Sequence, residues 1–268
     1  MISEKVKNPD DVIKFTQEVK EYAKSFSSWQ ISADLVGMIS AEKLDEIPSY
    51  RQEMMKTSTI KTTEQMEDAR SIVVLGYHAF DDIYEAVVSK GEGIEAPGYP
   101  PKDNVWKVLR FLQEKGFKAE LADGRIPKKQ IARLAGLGNY GKNALVITPK
   151  YGPWVRLEAI LTNAEFVYDE PFVKDLCGDC EKCIRACPTG ALTPYRVDYT
   201  ICLMNPSSRE WARILSGELR YSEKMGGDKS LDETFDLHSP RFTEHSRLMC
   251  TTCQRACPYG RKERGLEK

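Results

Sequence analysis

The chain has 268 residues, 41% of them hydrophobic and 29% charged, and its 39 basic and 40 acidic side chains leave a formal net charge of −1. This is the composition of a globular protein with a core to bury, and the near-neutral balance gives no overall attraction for a polyanion. No apolar run approaches the roughly 20 residues that cross a bilayer, so no membrane association is expected.

The first predicted helix starts at Asn8, a capping residue, with Pro9 in the first helical position. Its apolar face is Val12, Phe15, Val19, Tyr22 and Phe26. Ala33 to Ile39 and Ser71 to Tyr77 are short apolar runs expected as buried strands, while the polar stretch Thr57 to Thr63 predicts no element. From Lys102, the positions Val105, Val108, Leu109 and Leu112 predict a helix that Gly116 ends. Phe117 to Ala122 reads as a strand and Pro127 to Leu134 as a helix with Pro127 in its first turn. Ala144 to Thr148 and Val155 to Thr162 flank the turn Lys150-Tyr151-Gly152-Pro153 and are expected to form a hairpin. This alternation, free of cysteine as far as residue 163, predicts an α/β (α+β) domain over residues 1–165 and a separate module over residues 166–268.

All eight cysteines fall between residues 177 and 257. One run is Cys177-x-x-Cys180-x-x-Cys183-x-x-x-Cys187-Pro188; the other is a lone Cys202 followed by Cys250-x-x-Cys253-x-x-x-Cys257-Pro258. Three cysteines at two-residue gaps can hold three corners of one cubane, while the fourth, three residues on, turns toward a neighbouring cluster. By this logic Cys177, Cys180, Cys183 and Cys257 would ligate one 4Fe–4S cluster, and Cys187, Cys202, Cys250 and Cys253 the other. Two four-thiolate zinc sites are the alternative that paired Cys-x-x-Cys motifs leave open. Disulfides are not expected, since Met1 to Asp10 has neither an apolar core nor twin arginines; the expectation is a reducing, cytoplasmic and anaerobic setting. The basic residues Arg255, Arg261, Lys262, Arg264 and Lys268 read as a solvated terminus.

Gly136-Leu137-Gly138-Asn139-Tyr140-Gly141 matches the dinucleotide fingerprint in letters and not in context. A helix precedes these glycines and a strand follows, the reverse of the order that aims a helix N-terminus at a pyrophosphate. What is left is a side-chain-poor loop beside which a bulky planar cofactor could lie, or a plain helix-to-strand turn.

The stretch Ala135 to Asn143, continuing through Ile147-Thr148-Pro149-Lys150-Tyr151-Gly152-Pro153-Trp154-Val155-Arg156-Leu157, resembles the segment before the clusters in epoxyqueuosine reductases and reductive dehalogenases. Cys177-Gly178-x-Cys180, Ala186-Cys187-Pro188-Thr189-Gly190-Ala191 and Cys250-x-x-Cys253-Gln254-x-x-Cys257-Pro258 resemble the ferredoxin-like cluster module of the same superfamily, and the likeness covers about residues 117 to 260. The resemblance implies a reductase in which two 4Fe–4S clusters feed low-potential electrons to a base-off cobalamin between the two units. A ferredoxin or flavodoxin type donor would supply the electrons, and the substrate would be a small molecule or the corrinoid of a partner protein. A ferredoxin-like electron-transfer protein with neither substrate nor cobalamin of its own is the alternative. The implied cofactor-binding residues are Gly136, Gly138, Gly141 and Asn143, with Tyr140 and Lys142 as catalytic candidates flanking the loop. Asp123 is the candidate proton donor, although Asp123-Gly124 reads equally well as a turn. The chain runs eleven residues past Cys257, where epoxyqueuosine reductases continue into a helical domain that helps to hold tRNA, so tRNA is not expected as a partner.

Overall fold

The computed structural model describes residues 8–25, 32–48, 59–90, 93–95, 101–204, 213–214, 219–224 and 226–266. Helix α1 (Pro9–Lys24) begins as its sequence dictates, with Asn8 extended and its side chain accepting a bond from the Asp11 amide at 3.0 Å. Phe15, Val19 and Ala23 form its buried face, and Phe26 lies outside the described residues. The chain continues through β1 (Leu35–Ser40), α2 (Ala41–Asp45), α3 (Thr62–Gln65) and β2 (Ser71–His78). A 3₁₀ turn (Asp82–Glu85) then leads to β3 (Ala86–Lys90), β4 (Gly93–Glu95), α4 (Pro101–Glu114), β5 (Ala119–Leu121) and α5 (Lys128–Leu134). Gly116, at φ +90°, ends α4 in the left-handed conformation.

The central sheet, completed by β8 (Val155–Thr162), has the order β1-β2-β8-β5, and each neighbouring pair is antiparallel. Along β2, Val73, Leu75 and Tyr77 pack with α1 and α4 on one face, and Ile72 and Val74 with α2 and α5 on the other. Helices therefore cover both faces. That is why β2 reads as an unbroken apolar run although its neighbours are antiparallel. The fold is the mixed α/β layering expected.

The hairpin does not form. Within Ala144 to Thr148 the strand is β7 (Val146–Ile147), and it pairs with β6 (Asn139–Tyr140). Thr148 and Gly152 bridge each other instead, with Gly152 at φ +55°, and Trp154 beyond the turn is fully buried. β8 then lies between β2 and β5 and buries more apolar surface than a two-residue partner would cover. Thr57 and Ser58 of the polar stretch Thr57 to Thr63 lie outside the described residues, and its end opens α3, which escaped the sequence reading because a distant group anchors it. The Thr62 amide and hydroxyl each donate to the Asp45 carboxylate at 2.8 Å.

After β8 come α6 (Lys182–Ala186), β9 (Leu192–Thr193), β10 (Arg196–Val197), α7 (Tyr221–Lys224), α8 (Ser230–His238), β11 (Arg241–Thr243), β12 (Ser246–Leu248) and α9 (Thr252–Arg255). A second sheet, β11-β12-β3-β4, joins residues 86–95 to residues 241–248 and so crosses the division expected at residue 165. Val87 packs there with Leu203, Ile214, Tyr221 and Phe235. The C-terminal segment is fastened as well. Arg255 Nη2 donates to both Asp82 oxygens at 2.8 and 2.7 Å, and Arg264 Nη2 to Asp82 Oδ1 at 2.6 Å. Arg264 also lies 4.5 Å over the Trp154 ring. The reading of Arg255 and Arg264 as a solvated terminus is thereby corrected. Gly152 and Gly260 are packed so closely that a Cβ on Gly152 would strike the Tyr259 carbonyl, and one on Gly260 the Tyr151 carbonyl.

Candidate cluster sites and the glycine loop

The first cysteine run is shaped by short local bonds. The Cys180 amide donates to the Cys177 carbonyl at 2.9 Å, Gly178 takes φ +47°, and the Cys177 amide donates to Asp175 Oδ1 at 2.9 Å. Tyr195 holds the other Asp175 oxygen at 2.7 Å. Helix α6 places Cys183. Cys187, its C-cap at φ −66° and ψ 118°, is extended as a residue before proline should be, so it leaves the path of the three cysteines before it.

Two cavities take up the thiols. Cys177, Cys180, Cys183 and Cys257 line a small one of about 20 Å³, together with Lys142, Asn143, Ile147 and Tyr259. Cys187, Cys202, Cys250 and Cys253 line a larger one of about 260 Å³, shared with Glu85, Lys129, Asn143, Arg156 and Tyr199. Asn143 stands on both walls. Burial pushes the Cys202 and Cys257 thiols up to about 11, and raises Cys253 further through burial and the neighbouring Cys250. Burial likewise raises Cys177 and Cys183. Four such thiols become thiolates together when a cationic metal centre compensates the charge.

The glycines of the loop answer to the chain itself. A Cβ on Gly136, at φ +74°, would lie 2.7 Å from the Glu170 carbonyl oxygen; one on Gly138 would strike the Ile147 carbonyl, and one on Gly141 would meet Ile147 Cγ1 at 2.5 Å. Their bareness lets the loop close on Ile147 and Glu170, as the turn reading expects. The closure carries the Lys142 amide to 3.4 Å from Cys177 Sγ, where it donates. Lys142 and Asn143 are buried at 8% and 5% exposure. Tyr140, in β6, is half-buried and is not among the residues lining either cavity. Asp123 also lies off both walls. Its carboxylate accepts from the Arg125 amide at 2.8 Å and from Arg125 Nε at 2.9 Å in a half-exposed turn.

The sequence reading missed the charges beside the larger cavity. Glu85 is 1% exposed and ion-paired with Arg156, and its Oε1 has no hydrogen-bond partner among the described residues. Lys129 Nζ donates to the Ala144 carbonyl at 2.8 Å. Arg156 and Glu158, two charges inside an otherwise apolar strand, were a visible signal; Glu85 offered none.

A layered α/β domain is interlocked with a doubly cysteine-lined module, and the 4Fe-4S binding domain family matches residues 170–193, which supports iron–sulfur binding against the zinc alternative. The epoxyqueuosine reductase of Listeria monocytogenes is 35% identical over 158 residues, covering 58% of this chain and 35% of that protein. That of Staphylococcus aureus is 25% identical over 96% of this chain and 66% of its own length. A crystal structure of epoxyqueuosine reductase with an epoxyqueuosine-modified tRNA-Tyr stem loop superposes at TM-score 0.65, with 21% identity over 93% of this chain and 66% of that one. A reductive dehalogenase superposes at 0.54, with 16% identity over 88% of this chain and 38% of its own. The chain is similar in sequence to epoxyqueuosine reductases and shares its fold with them and with reductive dehalogenases. It spans about a third of the length of the first of these relatives and two thirds of the second.

These relatives overturn the expectation that excluded tRNA. A protein sharing the fold over 93% of this chain is seen with a tRNA stem loop. The exclusion rested on a helical domain beyond the shared fold and on net charge, and neither decides what the shared surface touches.

Proposed function

We propose that this chain is an iron–sulfur reductase. In this reading Cys177, Cys180, Cys183 and Cys257 hold one 4Fe–4S cluster, and Cys187, Cys202, Cys250 and Cys253 hold the second. The observation that carries it is the pair of neighbouring cavities, each lined by four cysteines and sharing Asn143 as a wall. Thiolate donors suit iron–sulfur clusters, which supply one-electron transfer at potentials that can be strongly negative. The chain contributes the Lys142 amide, which donates to Cys177 Sγ and so stabilises negative charge at that ligand. At the larger cavity, the buried Glu85–Arg156 pair offers a fixed acceptor and a fixed cation to a polar molecule. Electrons would come from a ferredoxin or flavodoxin type donor. The substrate would be a small molecule, a partner's corrinoid or, as in the relative seen with a stem loop, a tRNA nucleoside.

Cobalamin rests on the resemblance alone. The larger cavity is lined by the four cysteines proposed as cluster ligands, and no step is routed through a corrin. The second reading is an electron-transfer protein without its own corrinoid. Anaerobic titration of the reconstituted protein with cob(II)alamin, followed by electron paramagnetic resonance, separates the two. Loss of the splitting from the lower nitrogen ligand at stoichiometric protein would support a base-off corrinoid reductase. A spectrum of free cofactor at full cluster content would leave the electron-transfer protein.

A further inference from the structure

The segment between Cys202 and Cys250 holds a cavity of its own, of about 280 Å³, with no cysteine in its lining. Its wall carries three guanidinium groups, Arg220, Arg241 and Arg247, and two carboxylates, Asp232 and Asp236. Arg241 and Arg247 stand directly opposite each other in the β11–β12 ladder, an arrangement of like charges that costs a hairpin stability. Arg247 is 6% exposed, with Nη1 donating to Asp236 Oδ1 and to the Ser239 carbonyl, each at 2.7 Å, and its guanidinium carbon 4.7 Å over the Phe235 ring. Its Nε is buried and has no hydrogen-bond partner among the described residues.

Asp236 offsets Arg247 and Asp232 offsets Arg220 in part, so two carboxylates stand against three guanidinium groups on this wall. Both Asp232 oxygens are engaged by Ser222, from its amide at 2.9 Å and its hydroxyl at 2.7 Å, and Arg220 approaches no closer than 3.7 Å. Arg241 donates to the Glu244 carbonyl, while the Glu244 carboxylate is 84% exposed to solvent. Burial and the neighbouring Arg247 hold the Arg241 guanidinium below its usual value. An apposed arginine pair, an orphaned buried N–H and a surplus positive charge on one cavity form a site in want of an oxyanion, and guanidinium is the side chain best matched to one.

We propose that this cavity binds the phosphoryl group of a small phosphorylated molecule. Its modest volume favours a monoester over a nucleic-acid backbone. None of its lining residues is a cysteine, so its occupancy can be tested independently of the reaction proposed above.

The test uses the cluster-loaded full chain, titrated calorimetrically with inorganic phosphate and with glycerol 3-phosphate against chloride at matched ionic strength. One saturable site is expected. Arg220→Gln and Arg241→Gln should each weaken it about tenfold or more, with iron content unchanged and, for Arg241→Gln, a melting temperature no lower than wild type. Arg247 stays in place, because it is buried against Asp236. Absence of saturation beyond chloride, or wild-type affinity in both variants, would overturn the proposal. So would binding of an oligonucleotide without terminal phosphate where inorganic phosphate fails, which would assign the arginines to a polyanion.

Discussion

Asp82→Ala should loosen the C-terminal cysteine run without touching a cysteine. The Asp82 carboxylate, 45% exposed, holds two guanidinium groups that differ in one respect: the Arg255 side chain is 43% exposed and that of Arg264 is 5%. Burial pushes the Arg264 guanidinium below its usual value, and Asp82 is the first of the charges opposing that push. An exposed ion pair is worth about 0–1 kcal/mol, whereas stranding a buried charge costs about 3–5 kcal/mol. Because water reaches nearly half of Asp82, screening brings its loss to about 2 kcal/mol. For a chain of this size that is a fall of about 4–8 °C in melting temperature. Arg255→Ala should stay within about 1 kcal/mol. Combining Asp82→Ala with Arg264→Met removes the stranded charge and should recover most of the loss. Differential scanning calorimetry of the four proteins decides the matter. Equal losses for Asp82→Ala and Arg255→Ala, or no recovery in the double variant, would refute the argument from burial.

Cys257→Ala should abolish the same electron paramagnetic resonance signal as Cys177→Ala, and Cys187→Ala the same one as Cys202→Ala; loss that segregates by sequence run would reject the ligand sets proposed here. Gly138→Ala drives a Cβ into the Ile147 carbonyl and should cost about 1–3 kcal/mol in denaturant unfolding. Gly124→Ala, which meets nothing within 4 Å, should be close to neutral, and two equal losses would contradict the packing argument. In the cluster-free protein Cys202 is raised from 9.0 to about 11, so the unfolded chain ionises first as pH rises. Below pH 9 this contribution to stability is fully present, and it should be lost between about 9 and about 11; a flat pH profile there would disprove it. Arg156→Met leaves Glu85 buried without its cation and should destabilise by about 3–5 kcal/mol, with Glu85→Leu in the same chain restoring most of the loss in thermal melts.

Local chemistry was enough for several elements. Asn8 and Pro9 open α1 because a capping side chain and a preset φ act within one turn, and the β-branched run Ser71 to Tyr77 is a strand because it can be buried on both faces. The cysteine runs and the stretch from Ala135 to Leu157 likewise carried the likeness to epoxyqueuosine reductases in their own residues. Tertiary structure decided the rest. A strand's apolar pattern says that it needs partners and not which ones, so β8 went to β2 and β5 instead of the nearby β7. The pairing of β12 with β3 joins residues about 160 apart, and no local preference encodes it. The loop glycines look alike whether they make room for a cofactor or for Ile147 and Glu170, because the constraint on a missing Cβ lies in whatever packs against it. Glu85 is an ordinary acidic residue in sequence, and burial beside Arg156 and the cavity of Cys187, Cys202, Cys250 and Cys253 is what gives it chemical weight.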